Sequence, residues 1–297
     1  MAFRTVGIFS IGQMGAAWAR LLRAHGIRVV THSGGRGERT RRLRDEAGVE
    51  ELPGIAQVVE EADLIVSLVP PTAAPLVASS VARAMRGSGA SPVFLEANAI
   101  SPRVAREIGE AIGEAGGSCV DGAIIGAAAT LPGGCVVYLS GPEAHRIKPL
   151  EGCGLRLGFL GERIGQASAL KMVYAGLNKG LAAQLTEALV TAQAVGVFEA
   201  ALEKFREDFA GLMGTMEPFL PSLGYHAARR AEEMDQYEAM AEEAGLRAIM
   251  APATGALLRG IAALRLGELP PGGGEGRLTA FVERLAHAGF MRVGPSR

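Results

Sequence analysis

Apolar and polar positions follow two different patterns along this chain. Up to about residue 160, short apolar runs stand between segments whose apolar residues recur at helical spacing. That alternation of strand and helix is typical of a doubly wound parallel sheet, and near-continuous apolar strands fit a sheet covered on both faces. Six runs read as strands: TVGIFS (5–10), IRVVTH (27–32), DLIVSLV (63–69), PVFLEAN (92–98), SCVDGAII (118–125) and CVVYLSG (135–141).

From about residue 165 onwards no segment reads as a strand. Residues 167–196 contain no proline and carry apolar residues at helical spacing, so they predict one helix of about 45 Å. We therefore predict an α/β plus all-α chain. A Rossmann-type domain (1–164) is followed by a helical substrate and dimerisation domain (165–297), and the long helix joins them. Further helices are predicted at 201–214, 225–245, 248–268 and 277–289.

Composition excludes several function classes. The 297 residues are 48% hydrophobic and 21% charged with a net charge of −1, so we expect no nucleic-acid partner and no anionic membrane surface. No apolar run reaches the ~18 residues of a membrane span. Cys119, Cys135 and Cys153 are odd in number and lack metal-ligand spacing. They predict buried free thiols in a reducing cytoplasm and no metal site.

The stretch VGIFSIGQMG (6–15) stands between a predicted strand and a predicted helix. It approaches the dinucleotide-binding pattern G-x-G-x-x-G, with Ser10 in place of the first glycine. Gly12 would let the backbone approach a pyrophosphate, and Gly15 would let the helix pack closely. The phosphates would rest on the first helical turn, which begins with Gln13 and Met14. We expect Ser10 to fit with a negative φ. A turn without any ligand is the alternative.

The residues after the second strand indicate which dinucleotide binds. An NAD site usually has Asp or Glu there, about 20 residues after the glycine turn. Here the sequence offers Ser33, Arg36 and Arg39 and no acid at the strand end. A hydroxyl and guanidinium groups suit a 2′-phosphate. The sequence therefore predicts NADP in preference to NAD, and a solvated helix start is the alternative.

Five stretches in order resemble one family. They are VGIFSIGQMG (6–15), LVPPTAA (68–74), FLEANAISP (94–102), VDGAIIGAAATLPGG (120–134) and GQASALKMVYAGLNKG (165–180). Together they resemble the β-hydroxyacid dehydrogenase superfamily, which includes 3-hydroxyisobutyrate and 6-phosphogluconate dehydrogenases. The helical part looks like a divergent branch. The resemblance implies that Val69, Pro70 and Asn98 contact the cofactor, and that Asn98, Gly122 and Ala123 contact the substrate.

This sequence departs from the family in the substrate half. The family's substrate-loop serine falls at Ile125, which has no hydrogen-bonding group, and its proline falls at Ala123. Its Ser-Thr pair falls at Asn98 and Ala99, of which Asn98 still donates and accepts hydrogen bonds. These departures weakly favour a less polar ligand than a sugar acid.

The resemblance also gives a catalytic residue. In the family a lysine exchanges the proton of the substrate hydroxyl while hydride moves to or from the nicotinamide, and that role falls to Lys171. A base near neutrality needs a pKa well below the free-lysine value of about 10.4, through burial or a nearby cation. The alternative is a surface lysine on an amphipathic helix.

The family places Asn four residues after this lysine, where the chain has Ala175. Ser168 and Tyr174 lie three residues on either side of Lys171, about 4.5 Å along the helix axis, and are candidates for orienting the substrate. Asn178 lies about 10 Å along the axis and is a candidate for a more distant substrate group.

The sequence therefore predicts a cytoplasmic, homodimeric NADP-dependent dehydrogenase or reductase. It would act on the CH–OH group of a small 3-hydroxy acid or related alcohol. Two alternatives stay open at this stage. One is an imine reductase, which the lysine disfavours because such enzymes usually carry Asp or Tyr there. The other is a non-catalytic NADP-binding regulatory protein, which the changes at Ile125 and Ala175 suggest.

Overall fold

The computed structural model describes residues 3–35, 37–267 and 276–292. The chain divides into two compact units, Met1–Met172 and Val173–Arg297. The division falls a few residues after the predicted boundary at 164/165 and lies inside one long helix, so Lys171 belongs to the first unit. The roles assigned to the two parts stay predictions.

The first unit is built on one eight-stranded sheet in the order β3-β2-β1-β4-β5-β6-β7-β8. All neighbouring pairs are parallel except β6 and β7, which are antiparallel. The strands are β1 (Thr5–Phe9), β2 (Arg28–Thr31), β3 (Glu50–Glu51), β4 (Leu64–Ser67), β5 (Val93–Glu96), β6 (Ser118–Ile125), β7 (Val136–Ser140) and β8 (Arg156–Gly161). The predicted doubly wound fold is confirmed.

Helices cover both faces of this sheet. They are α1 (Gln13–Ala24), α2 (Glu38–Glu46), α3 (Ile55–Glu61), α4 (Ala74–Ser88) and α5 (Pro102–Glu114). Successive residues of β4 show why the strands read as continuous apolar runs. Leu64 and Val66 enter one hydrophobic core, while Ile65 between them enters the core on the other face.

The sequence pattern did not predict two of the strands, β3 and β8, or one break between helices. β3 consists only of Glu50 and Glu51, and β8 is largely exposed, so neither carries the apolar signal of a buried strand. The segment predicted as one helix over 201–214 is two helices that meet at Phe209.

The second unit contains the rest of the long helix α6 (Gln166–Ala194), which confirms the helix predicted over 167–196. Its core is formed where α6 packs with the later helices, around Leu189, Leu258 and Phe281. Those helices are α7 (Phe198–Asp208), α8 (Ala210–Phe219), α9 (Leu223–Glu243), α10 (Met250–Ala263) and α11 (Arg277–His287). Within the described ranges no helix has the length and apolar character needed to cross a membrane.

Candidate functional site

The carboxyl ends of β1, β4, β5 and β6 lie side by side along one edge of the sheet. Strand order reverses beside β1, and ligands of doubly wound sheets bind outside this edge at such a reversal. The predicted cofactor residues follow three of these strands. Ser10 follows β1, the buried Val69 and the exposed Pro70 follow β4, and Asn98 follows β5.

The glycine turn has the geometry that the pattern requires of its last two glycines. Gly12 caps α1, whose first turn carries no acidic residue. A Cβ at Gly12 would meet nothing within 4 Å, whereas a Cβ at Gly15 would lie 2.3 Å from the backbone oxygen of Ser10. Gly15 is therefore needed for close packing of the turn, and Gly12 leaves its surface open to a ligand. Gln13 is exposed and Met14 half-buried at the start of the helix.

The expectation of a negative φ at Ser10 is wrong. Ser10 has a φ of +76°, in the left-handed region that favours glycine. The reason is the tight reversal between β1 and α1, which brings the Ser10 carbonyl against Gly15. The serine thus adopts the conformation of the glycine it replaces.

At the end of β2, the Ser33 side chain contacts a carboxylate. The Ser33 backbone N–H donates to Glu51 Oε1 at 2.7 Å, and its hydroxyl donates to Glu51 Oε2 at 2.5 Å. Arg44 of α2 donates to the same Oε2 at 2.9 Å. Arg36 lies outside the described residues. The sequence showed no acid at the end of β2, but the neighbouring strand β3 brings one there.

A second polar group lies at the ends of β4 and β5. The Asn98 side-chain amide donates to the Ser67 hydroxyl at 2.8 Å, and the Asn98 backbone N–H donates to Glu96 Oε1 at 3.0 Å. All three residues are buried. Asn98 is thus fixed where β4 and β5 end side by side, and its contact with cofactor or substrate stays a prediction.

Glu96 is a buried carboxyl with an altered pKa. Burial and the charge of Asp121 on β6 raise the pKa, hydrogen bonds with Asn98 and Ser67 lower it, and the net result is a pKa of about 8. Glu96 and Asp121 are register partners across β5 and β6. Glu96 is therefore largely protonated at neutral pH, so the protein avoids two adjacent buried carboxylates.

Lys171 is half-buried on α6 and lies at the end of β6. Its Nζ donates to the carbonyl oxygen of Ile124 at 2.5 Å. Gly122 and Ala123, predicted in the substrate loop, lie inside β6 and are buried. A Cβ at Gly122 would lie 2.7 Å from a Leu95 methyl group, so this glycine is needed for strand packing. Their contact with substrate stays a prediction.

Asp121 holds the beginning of α6. Its Oδ2 accepts hydrogen bonds from the backbone N–H groups of Gly165 at 2.8 Å and Ser168 at 3.1 Å, and from the Ser140 hydroxyl at 2.8 Å. Its Oδ1 accepts the Ser168 hydroxyl at 2.6 Å. Ser168, a predicted substrate residue, is fully buried and uses its hydroxyl in this contact. The carboxylate thereby satisfies N–H groups that a helix start leaves unpaired.

The other predicted substrate residues are in the second unit. Tyr174 is 43% exposed and Asn178 is half-buried. Ala175, at the position of the family's asparagine, is fully buried in the hydrophobic core of that unit. The substrate roles of Tyr174 and Asn178 stay predictions.

The second unit also contains a buried ion-pair network. Glu233 Oε1 pairs with Arg229 at 2.7 Å, and its Oε2 pairs with Lys179 at 2.7 Å. Arg230 lies over the ring of Phe219 and donates to Ser222 at 2.8 Å. The Lys179–Glu233 pair links α6 to α9, and Arg230 joins α9 to the residues that precede it, so the network has a structural role.

The three cysteines are buried and free, as predicted. A cavity of about 610 Å³ in the first unit lies at the opposite, amino-terminal edge of the sheet, lined by Phe3, Asp63 and Pro92 among others. It contains none of the residues predicted to bind cofactor or substrate.

Three residues of the candidate site carried no direct signal in the sequence. Glu51 reaches Ser33 only through the pairing of β2 with β3. Glu96 and Asp121 lie in apolar runs that predict strands. The one indirect signal for either residue is that a carboxyl stands inside an apolar run.

Two family models match parts of the chain. A family described as "NADP oxidoreductase coenzyme F420-dependent" matches residues 5–89, which contain the glycine turn, and a domain of unknown function (DUF1932) matches residues 192–261. An uncharacterised 28.5 kDa protein of Methanothermus fervidus is 26% identical over 250 residues, covering 84% of this chain and 95% of that protein.

Solved structures resemble the whole chain. A conserved protein of unknown function, described as structurally similar to 3-hydroxyacid dehydrogenases, is 28% identical with a TM-score of 0.65, covering 89% of this chain and 99% of that one. A 3-hydroxyisobutyrate dehydrogenase of Mycobacterium tuberculosis, solved with L-serine, has a TM-score of 0.74 at 16% identity, covering 96% and 99%. An imine reductase of Myxococcus stipitatus has a TM-score of 0.59 at 20% identity, covering 95% and 100%.

The fold, the glycine turn and the family match indicate a nicotinamide-nucleotide-dependent oxidoreductase, and the chain resembles proteins of the hydroxyacid dehydrogenase type. The resemblance to the β-hydroxyacid dehydrogenase superfamily is confirmed.

Proposed function

We propose that this protein transfers hydride between NADP and a small 3-hydroxy acid or related alcohol, with Lys171 as general acid and base. The observation that carries the proposal is the position of Lys171. Its Nζ is held at the end of β6 by the Ile124 carbonyl, on the sheet edge that also carries the glycine turn. That edge is where a doubly wound sheet binds its nucleotide.

The residues present fit a dinucleotide. The surface at Gly12 is open, the start of α1 carries no acid, and the helix dipole there favours a phosphate. At the end of β2, the Ser33 N–H and hydroxyl and the Arg44 guanidinium all donate to the Glu51 carboxylate, so donors suited to an anion stand where the adenosine ribose of a dinucleotide would bind. When bound, the nicotinamide accepts or supplies the hydride.

The chain's own groups would handle the proton and the orientation. In the oxidative direction, the substrate hydroxyl would pass its proton to Lys171 Nζ as hydride leaves the carbon that bears the hydroxyl. In the reductive direction both transfers would be reversed. Asp121 would set the position of Lys171 indirectly, because it holds the start of α6 three residues before that lysine. Asn98, fixed by Ser67 and Glu96, would contact the cofactor or substrate from the end of β5.

Replacement of Lys171 by methionine tests the proposal. We expect kcat on a responsive hydroxy acid to fall by about 10²–10⁴-fold, because the proton acceptor is lost. The affinity for NADPH, measured by isothermal titration calorimetry, should change little. Lys204→Met is the matched control, since Lys204 is exposed and pairs with Glu207 and Asp208 on the surface. Near-normal turnover in the Lys171 variant would contradict the assignment.

The substrate panel should include cyclic imines as well as hydroxy acids. The similarity in fold to imine reductases makes C=N reduction the alternative chemistry. Turnover of imines without any turnover of alcohols would replace the proposed reaction. Tight NADPH binding without turnover across the whole panel would favour a regulatory protein.

The predicted preference for NADP over NAD rests on the hydroxyl of Ser33 and the guanidinium groups of Arg36 and Arg39. The predicted homodimer and cytoplasmic location also stay proposals. The dimer is supported by Leu246, Ile249 and Met250, which are large, apolar and exposed in the second unit. Light scattering should then give about twice the chain mass of 30.8 kDa.

A further inference from the structure

The donors at the end of β2 form an anion site that the protein itself fills. A backbone N–H, a hydroxyl and a guanidinium N–H, from Ser33 and Arg44, all point at the carboxylate of Glu51. His32 Nδ1 lies 3.6 Å from the same carboxylate. Such a set of donors would suit the oxygens of a phosphate ester equally well.

Glu51 is charged in this position. Partial burial acts to raise the pKa of Glu51, but hydrogen bonds from Ser33 and Arg44 outweigh burial and lower the pKa below its usual range. Arg44 is held on its other side by Asp45, whose Oδ1 accepts from both Nε and Nη2. The guanidinium is therefore already neutralised by two carboxylates.

The location gives this arrangement a consequence for cofactor choice. The first residues after β2 are where a Rossmann fold meets the adenosine ribose, whose 2′ position carries a hydroxyl in NAD and a phosphate in NADP. A 2′-phosphate would need the donors that Glu51 now occupies and would meet its negative charge. A 2′-hydroxyl would meet no such repulsion and has a carboxylate available as acceptor.

We propose that Glu51 is a specificity-determining residue that occupies the 2′-phosphate position and weakens the binding of NADP relative to NAD. The inference rests on the proposed function, because it concerns the cofactor of the same site. It does not require NADP to be the poorer ligand in the natural protein. It requires only that the Glu51 carboxylate weaken the preference for NADP that Ser33 and the arginines of α2 create.

The test is Glu51→Gln, which removes the charge and keeps the size of the side chain. Dissociation constants for NADPH and NADH should be measured by isothermal titration calorimetry, together with those for 2′,5′-ADP and AMP as fragments of the adenosine end. We expect NADPH and 2′,5′-ADP to bind about tenfold more tightly to the variant, with NADH and AMP changed less than about twofold.

Glu50→Gln is the matched control. Glu50 is the neighbouring residue of β3, but its carboxylate pairs with Arg28 at 2.6 Å and not with Ser33. It should leave all four constants unchanged. Glu51→Ala provides a second removal of the charge, and its thermal unfolding should be compared with that of the natural protein.

The outcomes separate the inference from the function beneath it. Dinucleotide binding with an unchanged NADPH-to-NADH ratio in both Glu51 variants would overturn the inference alone. A ratio shifted toward NADH would overturn it as well, because Glu51 would then help to bind the phosphate. If neither dinucleotide binds the natural protein or its variants, the proposed function is wrong, and the inference falls with it.

Discussion

At the scale of single residues, the glycine turn shows how one motif contains positions with different physical demands. Gly15 is enclosed by the Ser10 carbonyl, whereas Gly12 faces open space. Ser10 adopts a positive φ although it has a side chain, a conformation that costs a non-glycine residue about 1–2 kcal/mol. The departure from the consensus therefore lies in the composition of the turn and leaves its geometry unchanged.

This difference predicts opposite results for two similar substitutions. Gly15→Ala should lower the free energy of unfolding by about 1–3 kcal/mol, because its Cβ would collide with backbone. Gly12→Ala should change stability by less than about 0.5 kcal/mol, yet weaken NADPH binding, because its methyl group would occupy the space of the pyrophosphate. Denaturant unfolding and calorimetric titration of the two variants give the comparison. Equal losses of stability would contradict this reading of the turn.

At the scale of elements, the start of α6 depends on a residue of the sheet. Asp121 of β6 accepts two backbone N–H groups and one hydroxyl from the segment that begins this helix. The helix carries Lys171 one turn later, and Lys171 in turn donates to the Ile124 carbonyl of the same strand. β6 and the first turns of α6 are thus joined at two points, Asp121 and Ile124.

Asp121→Asn should break part of this connection. An amide group can accept through only one of its two ends, so the buried donors would lose partners at a cost of about 2–4 kcal/mol. We expect the melting temperature to fall by several degrees and kcat to fall with it. Asp235→Asn is the control, because Asp235 pairs with Arg259 on the surface and should be nearly neutral. An unchanged melting temperature in the Asp121 variant would show that the helix start is held by other contacts.

The sequence pattern predicted the elements that bury apolar residues and missed those that do not. β6 was predicted with its observed bounds because most of its residues are apolar on both faces, although Asp121 lies among them. β3 was missed because two glutamates carry no such signal, and its strand form comes only from pairing with β2. The contact of Glu51 was missed as well, because 18 residues separate this glutamate from the serine that donates to it.

At the scale of the whole molecule, the stability of the protein should depend on pH through Glu96. Burial raises the pKa of Glu96 from its ordinary value of 4.5 to about 8 in the folded protein. Between pH 4.5 and pH 8, folding therefore takes up a proton at Glu96. The stabilising contribution of this proton is complete below pH 4.5 and is lost as the pH rises toward 8. The loss approaches about 1.4 kcal/mol per pH unit within this window.

Glu96→Gln should remove this contribution to the slope. The free energy of unfolding of the variant, relative to the natural protein, should rise between pH 5 and pH 8 and stay level above that. Urea unfolding at four or five pH values gives the difference directly. A difference that does not vary with pH would mean that Glu96 is ionised in the folded protein.

The sequence by itself determined the doubly wound sheet, the helical second part, the glycine turn and the position of Lys171 on a long helix. Each follows from local order along the chain, because apolar periodicity and turn residues are set by near neighbours. Only the tertiary structure decided that Ser33 contacts Glu51, that Ser168 is used by Asp121, and that Glu96 is buried beside a second carboxyl. These contacts join residues that are far apart in the chain, and they form only when the sheet brings its strands and the segments that follow them together.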